Sequence, residues 1–315
     1  MTNNKPLMYA NLHVHTTHSD GAYSPKEIAD IAKKEGYGAI AVTDHDTVTG
    51  NEEIRKECEK LGLETIFGCE FMTTSDVLGC GFHLTAFDFD VDMPEMKEYL
   101  RKCSVTMSER TKACFDIGKR EGLLPKEIEW DTVLADEQNN GITWICNDHV
   151  FRTMKKMGLA EDKDYPPFLH NIFFKYWTTV PDAYPKLPLE ELVPLIKRAG
   201  GIVIVAHPHN VLDKIPHLIN CGVEGIEVWH PDLTNEEIPM ALKIASENNL
   251  YISGGPDHSG LCGGQYVFYD DYKSCPYYIP EFSTGTTREF FEEIKNRKLS
   301  DGRKDIISSY IESYK

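Results

Sequence analysis

The sequence predicts an α/β fold, and two observations support this prediction. Short apolar segments of strand length alternate with amphipathic segments of helix length up to residue 93, and again from residue 187 onward. Such alternation at short spacing is typical of parallel βα units. A chain of 315 residues is also long enough to bury one barrel-sized core. We therefore predict one large domain with a barrel or a doubly wound sheet.

Four strands are predicted in the first part of the chain, and the first of them ends near His15. A capping box at Ser24-Pro25-Lys26-Glu27, with proline at the first helical position, begins a helix that ends near Gly36. The segment from Thr49 to Glu52 has the same spacing and predicts the start of a second helix. The other three strands are predicted at residues 39–42, 64–68 and 81–87.

Between residues 94 and 186 the alternation is lost. Helical patterns dominate there, at residues 96–119, 126–136 and 148–157, and a segment rich in proline and aromatic residues follows at 165–188. We interpret residues 94–186 as an inserted, mostly helical subdomain that covers the active-site rim. Residues 1–93 and 187–315 then form the main domain, with further strands predicted at 202–206, 225–229 and 250–253.

Composition restricts the partners and the compartment. The formal net charge of −17 disfavours long nucleic acid, because a polyanion is repelled, but it allows a small anionic substrate that metal ions hold. No N-terminal apolar segment has the length and flanks of a signal peptide or a transmembrane helix, so we expect a cytoplasmic protein without membrane contact. The nine cysteines include no Cys-x-x-Cys pair, which favours free, buried thiols in a reducing compartment.

The candidate chemistry begins at His13 and His15. Side chains alternate along a strand, so both imidazoles point to the same face at the end of the first strand. The turn that contains Asp20 can bring its carboxylate back toward them. Three potential metal ligands therefore lie within eight residues.

Further candidate ligands follow other predicted strands. The carboxyl ends of parallel strands form one rim, where active sites assemble in such folds. The candidates at or just beyond strand ends are His45, Glu70, His207, Glu227, Asp257 and His258. Imidazole and carboxylate ligands suit Mn²⁺, Fe²⁺ or Zn²⁺, and several carboxylates suit bridging of two or more ions. His83 lies inside a strand and His149 at a helix start, so a core histidine and an exposed histidine are the respective alternatives.

These residues resemble the polymerase and histidinol phosphatase (PHP) family of metal-dependent phosphoesterases, and the similarity runs in order from residue 9 to 260. The matching motifs are His13-Val14-His15, Ser19-Asp20-Gly21, Thr43-Asp44-His45, Gly68-Cys69-Glu70, His83, Ala206-His207-Pro208, Gly225-Ile226-Glu227-Val228 and Asp257-His258. The insertion is similar to that of the branch with 3′,5′-nucleoside bisphosphate phosphatases and short-RNA exonucleases. That similarity involves His149, Arg152 and the stretch from Phe173-Phe174-Lys175-Tyr176 to Gly200-Gly201.

The resemblance implies a distorted seven-stranded (β/α) barrel with two or three divalent ions at its carboxyl rim. The metal ligands that it implies are His13, His15, Asp20, His45, Glu70, His83, His207 and Asp257, with His258 as a further ligand. The family has Asp-x-His where this chain has the adjacent pair Asp257-His258, and adjacent residues of a strand point to opposite faces. We therefore predict that Gly254-Gly255-Pro256 bends the backbone before this pair.

The predicted function is hydrolysis of a small phosphorylated metabolite, either a nucleotide or sugar phosphate monoester or a cyclic phosphodiester. Bound metals would lower the pKa of a water molecule and supply hydroxide for attack on phosphorus. His207 or His258 would protonate the departing alkoxide, and Asp20 is placed in the catalytic group. The residues predicted to bind the substrate are His149, Arg152, Lys175, His209 and His230.

Three alternatives stay open at this point. A histidinol-phosphate-type phosphatase would use the same centre on a different monoester. An amidohydrolase-like enzyme acting on C–N bonds is also compatible, because such barrels begin with His-x-His as well. The third alternative is a metal-binding sensor with a PHP-like barrel and no turnover, although the nearly complete set of ligands favours an enzyme.

Overall fold

The computed structural model describes residues 7–257 and 284–314. Strands β1 to β8 are Ala10–Asn11, Ala39–Ile40, Glu64–Thr65, Gly68–Ser75, Cys80–Phe87, Ile202–Val205, Gly225–Trp229 and Tyr251–Gly254. Helices α1 to α11 are Pro25–Lys34, Asn51–Leu61, Pro94–Arg120, Trp130–Asn139, Asn147–Lys156, Tyr165–Phe168, Leu189–Arg198, Ile215–Asn220, Glu237–Asn248, Arg288–Asn296 and Arg303–Ser313. A π-helix at Leu169–Phe174 continues α6. No described helix is long and apolar enough to cross a membrane.

The described strands form two sheets. One contains β1, β2 and β3 in parallel, and the other has the order β4-β5-β6-β7-β8. Strands β6, β7 and β8 are parallel, whereas β5 is antiparallel to both of its neighbours. The prediction that residues 81–87 belong to a parallel βα unit is therefore wrong. A turn, and not a helix, joins β4 to β5, and such a connection produces an antiparallel pair.

Backbone hydrogen bonds join the two sheets at both sides. On one side Leu12 N–H donates to the Gly254 carbonyl at 3.3 Å, which links the chain after β1 to β8. On the other side Glu70 N–H donates to the Asp44 carbonyl at 3.2 Å, which links β4 to the chain after β2. The observed fold is thus mixed α/β with sheets of three and five strands, and the predicted seven-stranded barrel is not confirmed.

The two predicted capping boxes have different outcomes. At α1 the Ser24 N–H donates to the Glu27 carboxylate at 2.8 Å, and Ser24 Oγ accepts from the Glu27 N–H at 3.3 Å, so the first prediction is confirmed. Helix α2 begins at Asn51 without a side-chain cap, so the second is wrong. The Thr49 hydroxyl lies 2.8 Å from His18 Nδ1 and so is bonded to a ring nitrogen in place of the helix backbone.

Two hydrophobic clusters meet along the 27-residue helix α3. Residues of its first half, such as Met96 and Cys103, pack in the core that surrounds the two sheets. Residues of its second half, such as Phe115, pack with α4, α5 and the π-helix in a second core. This second core lies within the segment 94–186, and the division of the chain into two domains at those bounds stays a prediction.

Candidate metal centre

His13 and His15 follow β1, at the edge where β1 meets β8. The backbone approaches closely here, because a Cβ on Gly255 would lie only 2.5 Å from the backbone nitrogen of His13. The turn after His15 also folds back tightly, since a Cβ on Gly21 would lie 2.5 Å from the His15 carbonyl. A side chain at either glycine would push the backbone away, so both are needed to bring Asp20 and residue 257 close to the two imidazoles.

Asp44 holds this turn and was not assigned a role from the sequence. Its buried carboxylate accepts hydrogen bonds from Thr16 N–H at 2.7 Å, Thr16 Oγ1 at 2.8 Å and Ser19 Oγ at 2.6 Å. Burial of a carboxylate is tolerated only when its oxygens are paired, as they are here. Asp44 directly precedes the candidate ligand His45 in the sequence, which is the signal that could have identified it. Through these hydrogen bonds it positions the segment that carries Asp20.

The Glu70 carboxylate lies at the middle of the cluster. It is fully buried within β4, so the prediction that Glu70 stands just past a strand end is wrong, because the strand continues to Ser75. Burial acts to raise the pKa of Glu70, but His13, His83 and His45 lower it well below its usual range. The carboxylate is therefore an anion in the folded protein.

Five imidazoles surround this carboxylate, each with one nitrogen 3.2 Å from one of its oxygens. Those near Oε1 are His13 Nε2, His83 Nδ1 and His207 Nε2, and those near Oε2 are His15 Nε2 and His45 Nδ1. Glu70 and these imidazoles would together hold divalent ions at this position. His83 therefore lies in the cluster, as the resemblance implied, and the core alternative does not describe its position.

The potential ligand atoms form overlapping groups in which all atoms lie within 4.8 Å of one another. The groups are His13, His15, Glu70 and Asp257, then His45, Glu70 and His83, then His15, Asp20 and His45, and finally His13, Glu227 and His230. Each predicted metal ligand that the structure describes, except His207, belongs to at least one of them. His207 Nε2 nevertheless lies 3.1 Å from His83 Nδ1.

Buried atoms without hydrogen bonds support a cation site here. Among the described residues, His13 Nε2, His45 Nδ1 and Glu70 Oε2 are buried and have no hydrogen-bond partner, although unpaired buried polar atoms are rare. Burial lowers the pKa of His45 to about 4, so its ring is neutral at physiological pH and its nitrogens can donate electron pairs. Imidazole nitrogens and carboxylate oxygens together form a set of ligand types that fits divalent transition metals.

Asp20 and Asp257 lie on opposite sides of His15. Asp20 lies 3.6 Å from His15 Nδ1 and 3.8 Å from His45 Nε2, and its side chain is a quarter exposed. Asp257 accepts a hydrogen bond from His15 Nε2 at 2.8 Å. Strand β8 ends at Gly254 and Asp257 has a φ of 51°, so the backbone leaves strand geometry where the sequence predicts it. His258, the other predicted ligand and catalytic residue of this pair, lies outside the described residues.

Glu227 orients two of the histidines. Its carboxylate accepts a hydrogen bond from His13 Nδ1 at 3.1 Å and another from the backbone N–H of His207 at 2.7 Å. Because Nδ1 of His13 carries the proton, its Nε2 is left to face Glu70. Glu227 appeared among the residues at strand ends but not among the ligands implied by the resemblance. Glu227 is therefore placed to orient the ring of His13, a candidate metal ligand.

We expect Glu227→Gln to weaken metal binding by about 10-fold to 100-fold, as is typical for outer-shell groups. In the variant an amide NH₂ replaces one carboxylate oxygen. Where this NH₂ faces the His207 N–H, two donors meet, and the hydrogen bond that ties His207 to the same side chain as His13 is lost. Titration of the metal-free protein with Mn²⁺ measures the affinity. The control is Glu224→Gln, which makes the same change beside β7 at a residue paired with Lys197. Equal affinities for both variants would contradict the orienting role.

Three residues predicted to bind substrate are buried in this structure. His149 is fully buried, where Nδ1 accepts from Cys146 N–H at 3.0 Å and Nε2 donates to the Thr17 carbonyl at 3.1 Å. Arg152 is also buried and donates to backbone carbonyls in the turn of residues 17–21. His230 is buried with Nε2 3.7 Å from Asp257 Oδ2, so it belongs to the cluster.

The Nε2 donor of His149 and most of the Arg152 donors are thus occupied by backbone carbonyls, and a contact of either residue with substrate stays a prediction. The two remaining candidates lie outside the cluster. His209 Nδ1 is 2.8 Å from Glu237 Oε2, and the exposed Lys175 places its Nζ 4.8 Å from the centre of the Tyr176 ring. The His209 N–H donates to the His207 carbonyl at 2.7 Å, but within the described part of the chain neither side chain has a hydrogen bond or ion pair with a side chain of the cluster. Their roles stay predictions.

Comparison with known proteins agrees with this geometry. Residues 11–146 match the PHP domain family. The phosphoribosyl 1,2-cyclic phosphate 1,2-diphosphodiesterase of Eggerthella lenta is 26% identical over 262 residues, which cover 81% of this chain and 96% of that protein. A 5′-3′ exoribonuclease of Haemophilus influenzae is 28% identical over 266 residues, which cover 80% of this chain and 90% of that protein.

A solved structure supports the fold. It comes from Bifidobacterium adolescentis, is assigned as a metal-dependent phosphoesterase, and aligns with a TM-score of 0.70 at 24% identity. The alignment covers 94% of this chain and 99% of the other. The resemblance seen in the sequence is thus confirmed by the matched domain, by the relatives and by the fold. Residues 11–146 thus match the PHP domain, and over about four fifths of its length the chain is similar to enzymes named as a phosphodiesterase and an exoribonuclease.

Proposed function

We propose that this protein hydrolyses small phosphorylated metabolites, with two or three divalent ions, Mn²⁺, Fe²⁺ or Zn²⁺, held by the candidate metal centre. The observation that carries the proposal is the buried Glu70 carboxylate, whose two oxygens each face imidazole nitrogens 3.2 Å away. Such a carboxylate suits a pair of ions that share one anionic ligand. Bound divalent ions supply a nucleophile from water at neutral pH and neutralise phosphoryl oxygens.

The residues around the ions would divide the remaining work. His13, His15, His45, His83, His207, Glu70, Asp20 and Asp257 would hold the metals. Glu227 would keep the Nδ1 proton of His13 in place, so that Nε2 stays available. Asp44 would hold the turn of residues 16–20 and with it the Asp20 carboxylate.

The acid that protonates the leaving alkoxide is proposed to be His258 in preference to His207. His207 directs Nε2 at Glu70 and His83, and its φ of 29° is a backbone conformation that residues other than glycine rarely adopt. A nitrogen that ligates a metal cannot also carry the proton to be transferred. His207 is therefore proposed as a ligand, and the catalytic assignment moves to His258, which stays a prediction.

The substrate is proposed to be a nucleotide or sugar phosphate monoester or a cyclic phosphodiester. The net charge of −17 disfavours long double-stranded nucleic acid as a substrate. Its phosphates outside the candidate metal centre would be repelled by the negative charge of the protein. One relative is named for a phosphoribosyl cyclic phosphate and another as an exoribonuclease, so short RNA belongs among the substrates to be tested.

Phosphate release tests this proposal on the full-length protein loaded with Mn²⁺. Sugar phosphates, nucleotide monoesters, cyclic phosphodiesters and short 5′-phosphorylated RNA form the panel, and ammonia release from amides tests the C–N alternative. A downstream phosphomonoesterase reveals opened cyclic esters. We expect turnover of at least one small ester, no cleavage of long duplex, and no turnover by His13→Ala prepared in parallel. Ammonia release without phosphate release, or turnover retained in His13→Ala, would contradict the proposal.

A further inference from the structure

A second cluster of metal-ligand side chains lies on α7 and α8. Glu190 stands in the first turn of α7, His217 lies within α8, and Cys221 is the cap residue at the end of α8. One potential ligand atom from each residue lies within 4.8 Å of the other two. The cluster shares no residue with the candidate metal centre, and the mechanism proposed above does not use it.

One nitrogen of His217 faces both other side chains. Its Nε2 lies 3.2 Å from Glu190 Oε1 and 3.6 Å from Cys221 Sγ. An imidazole nitrogen carries at most one hydrogen, so it cannot form a separate hydrogen bond with each partner. The separations match the edges of a tetrahedral zinc site, which are about 3.3 Å for N···O and about 3.6 Å for N···S from the usual zinc–ligand bond lengths.

The surrounding structure holds these ligands in position. His217 and Cys221 are four residues apart, and the Cys221 N–H donates to the His217 carbonyl at 3.1 Å, so both side chains lie on one side of α8. Ser75 Oγ donates to Glu190 Oε1 at 3.1 Å. Hydrogen bonds of this kind orient carboxylates that bind metals. All three ligand side chains retain solvent exposure, so an ion can enter from water.

We propose that Glu190, His217 and Cys221 bind one Zn²⁺ ion, with water as the fourth ligand. A thiolate, an imidazole and a carboxylate together suit Zn²⁺, whereas Mg²⁺ and Mn²⁺ prefer oxygen ligands. The groups of the candidate metal centre contain no thiolate among the described residues, so the two sites differ in the metals they favour. The ion joins α7 to α8, the helices that precede and follow β6.

Cobalt substitution tests this site without reference to catalysis. A cysteine thiolate bound to Co²⁺ gives a charge-transfer band in the near ultraviolet, which imidazole and carboxylate ligands do not give. We expect this band in the full-length protein and its loss in both Cys221→Ser and His217→Ala. The matched control is Cys80→Ser. Cys80 is also half-buried, and it lies opposite Ser75 in the register of β4 and β5, but it is not one of the three proposed ligands. The control variant is expected to keep the band.

Zinc content gives a second measurement. After dialysis against Zn²⁺, Cys221→Ser should contain about one ion per chain fewer than Cys80→Ser, since binding requires the thiolate. Zinc is also expected to raise the midpoint of thermal unfolding of Cys80→Ser more than that of Cys221→Ser. A parent protein without the band, a band that survives in Cys221→Ser, or a band lost in Cys80→Ser would overturn this ligand set. None of these results depends on which ester the centre hydrolyses.

Discussion

Replacement of Glu70 by glutamine is expected to lower kcat/KM by about 1,000-fold or more, because several kcal/mol of metal-dependent stabilisation are lost. The amide keeps the shape of the side chain but removes the negative charge and one acceptor oxygen. His13, His15, His45, His83 and His207 would then surround a neutral group. The measurements are kcat/KM on the best small ester and the metal content of the purified variant.

The control for Glu70→Gln is Glu64→Gln, which removes the same charge from the neighbouring strand β3. Glu64 accepts a hydrogen bond from Tyr9 at 2.6 Å and pairs with Lys295, so it lies outside the centre. We expect this control to keep its metal and its activity. Full activity in Glu70→Gln, or an equal loss in both variants, would show that the assignment of Glu70 as a metal ligand is wrong.

Replacement of Arg152 by methionine is expected to have the second largest effect. Its guanidinium donates to the carbonyls of Gly21, Thr17 and Ser19, and buried carbonyls that lose a charged donor cost about 1–3 kcal/mol each. The free energy of unfolding should therefore fall by about 2–4 kcal/mol, since not all of these groups become fully unpaired. The loosened turn also carries Asp20, so metal affinity and kcat should fall while KM changes little.

This expectation differs from that of a substrate-binding arginine, whose loss raises KM more than it lowers kcat. Chemical denaturation, Mn²⁺ titration and steady-state kinetics separate the two roles. The control is Arg110→Met, because Arg110 is similarly buried in the same helical segment, pairs with Asp182 and packs on Trp177. It is expected to lose stability but to keep its metal affinity. A rise in KM alone for Arg152→Met would contradict the structural role and favour binding of substrate.

The clustering of the candidate ligands could be predicted from the sequence because strand geometry is simple. His13 and His15 share a face through alternation alone. Residues after β2, β6 and β8 reach the same rim because β2 is parallel to β1, and β6 and β8 are both parallel to β7. The position of Glu70 could not be read in the same way. Only two apolar residues, Phe71 and Met72, follow Glu70 directly. The local pattern therefore does not show whether the strand ends before Glu70 or continues past it.

The roles of His149 and Arg152 show a different limit. The sequence places both on one helix at the start of α5, and their charge and chemistry suit a phosphate as well as a peptide carbonyl. Only the three-dimensional arrangement reveals that the turn of residues 17–21 packs against this helix and occupies their donors. Long-range pairing of this kind leaves no periodic signal in the sequence.

The contact between His15 and Asp257 spans 242 positions of the chain. His13 and Asp257 are also paired through the backbone, where Asp257 N–H donates to the His13 carbonyl at 3.0 Å. During synthesis the first two histidines leave the ribosome early, yet their partner carboxylate emerges only when most of the chain has been made. A nascent chain therefore holds an incomplete set of ligands until β8 has docked beside β1. The full set of candidate ligands can therefore assemble only after the chain up to Asp257 has been synthesised.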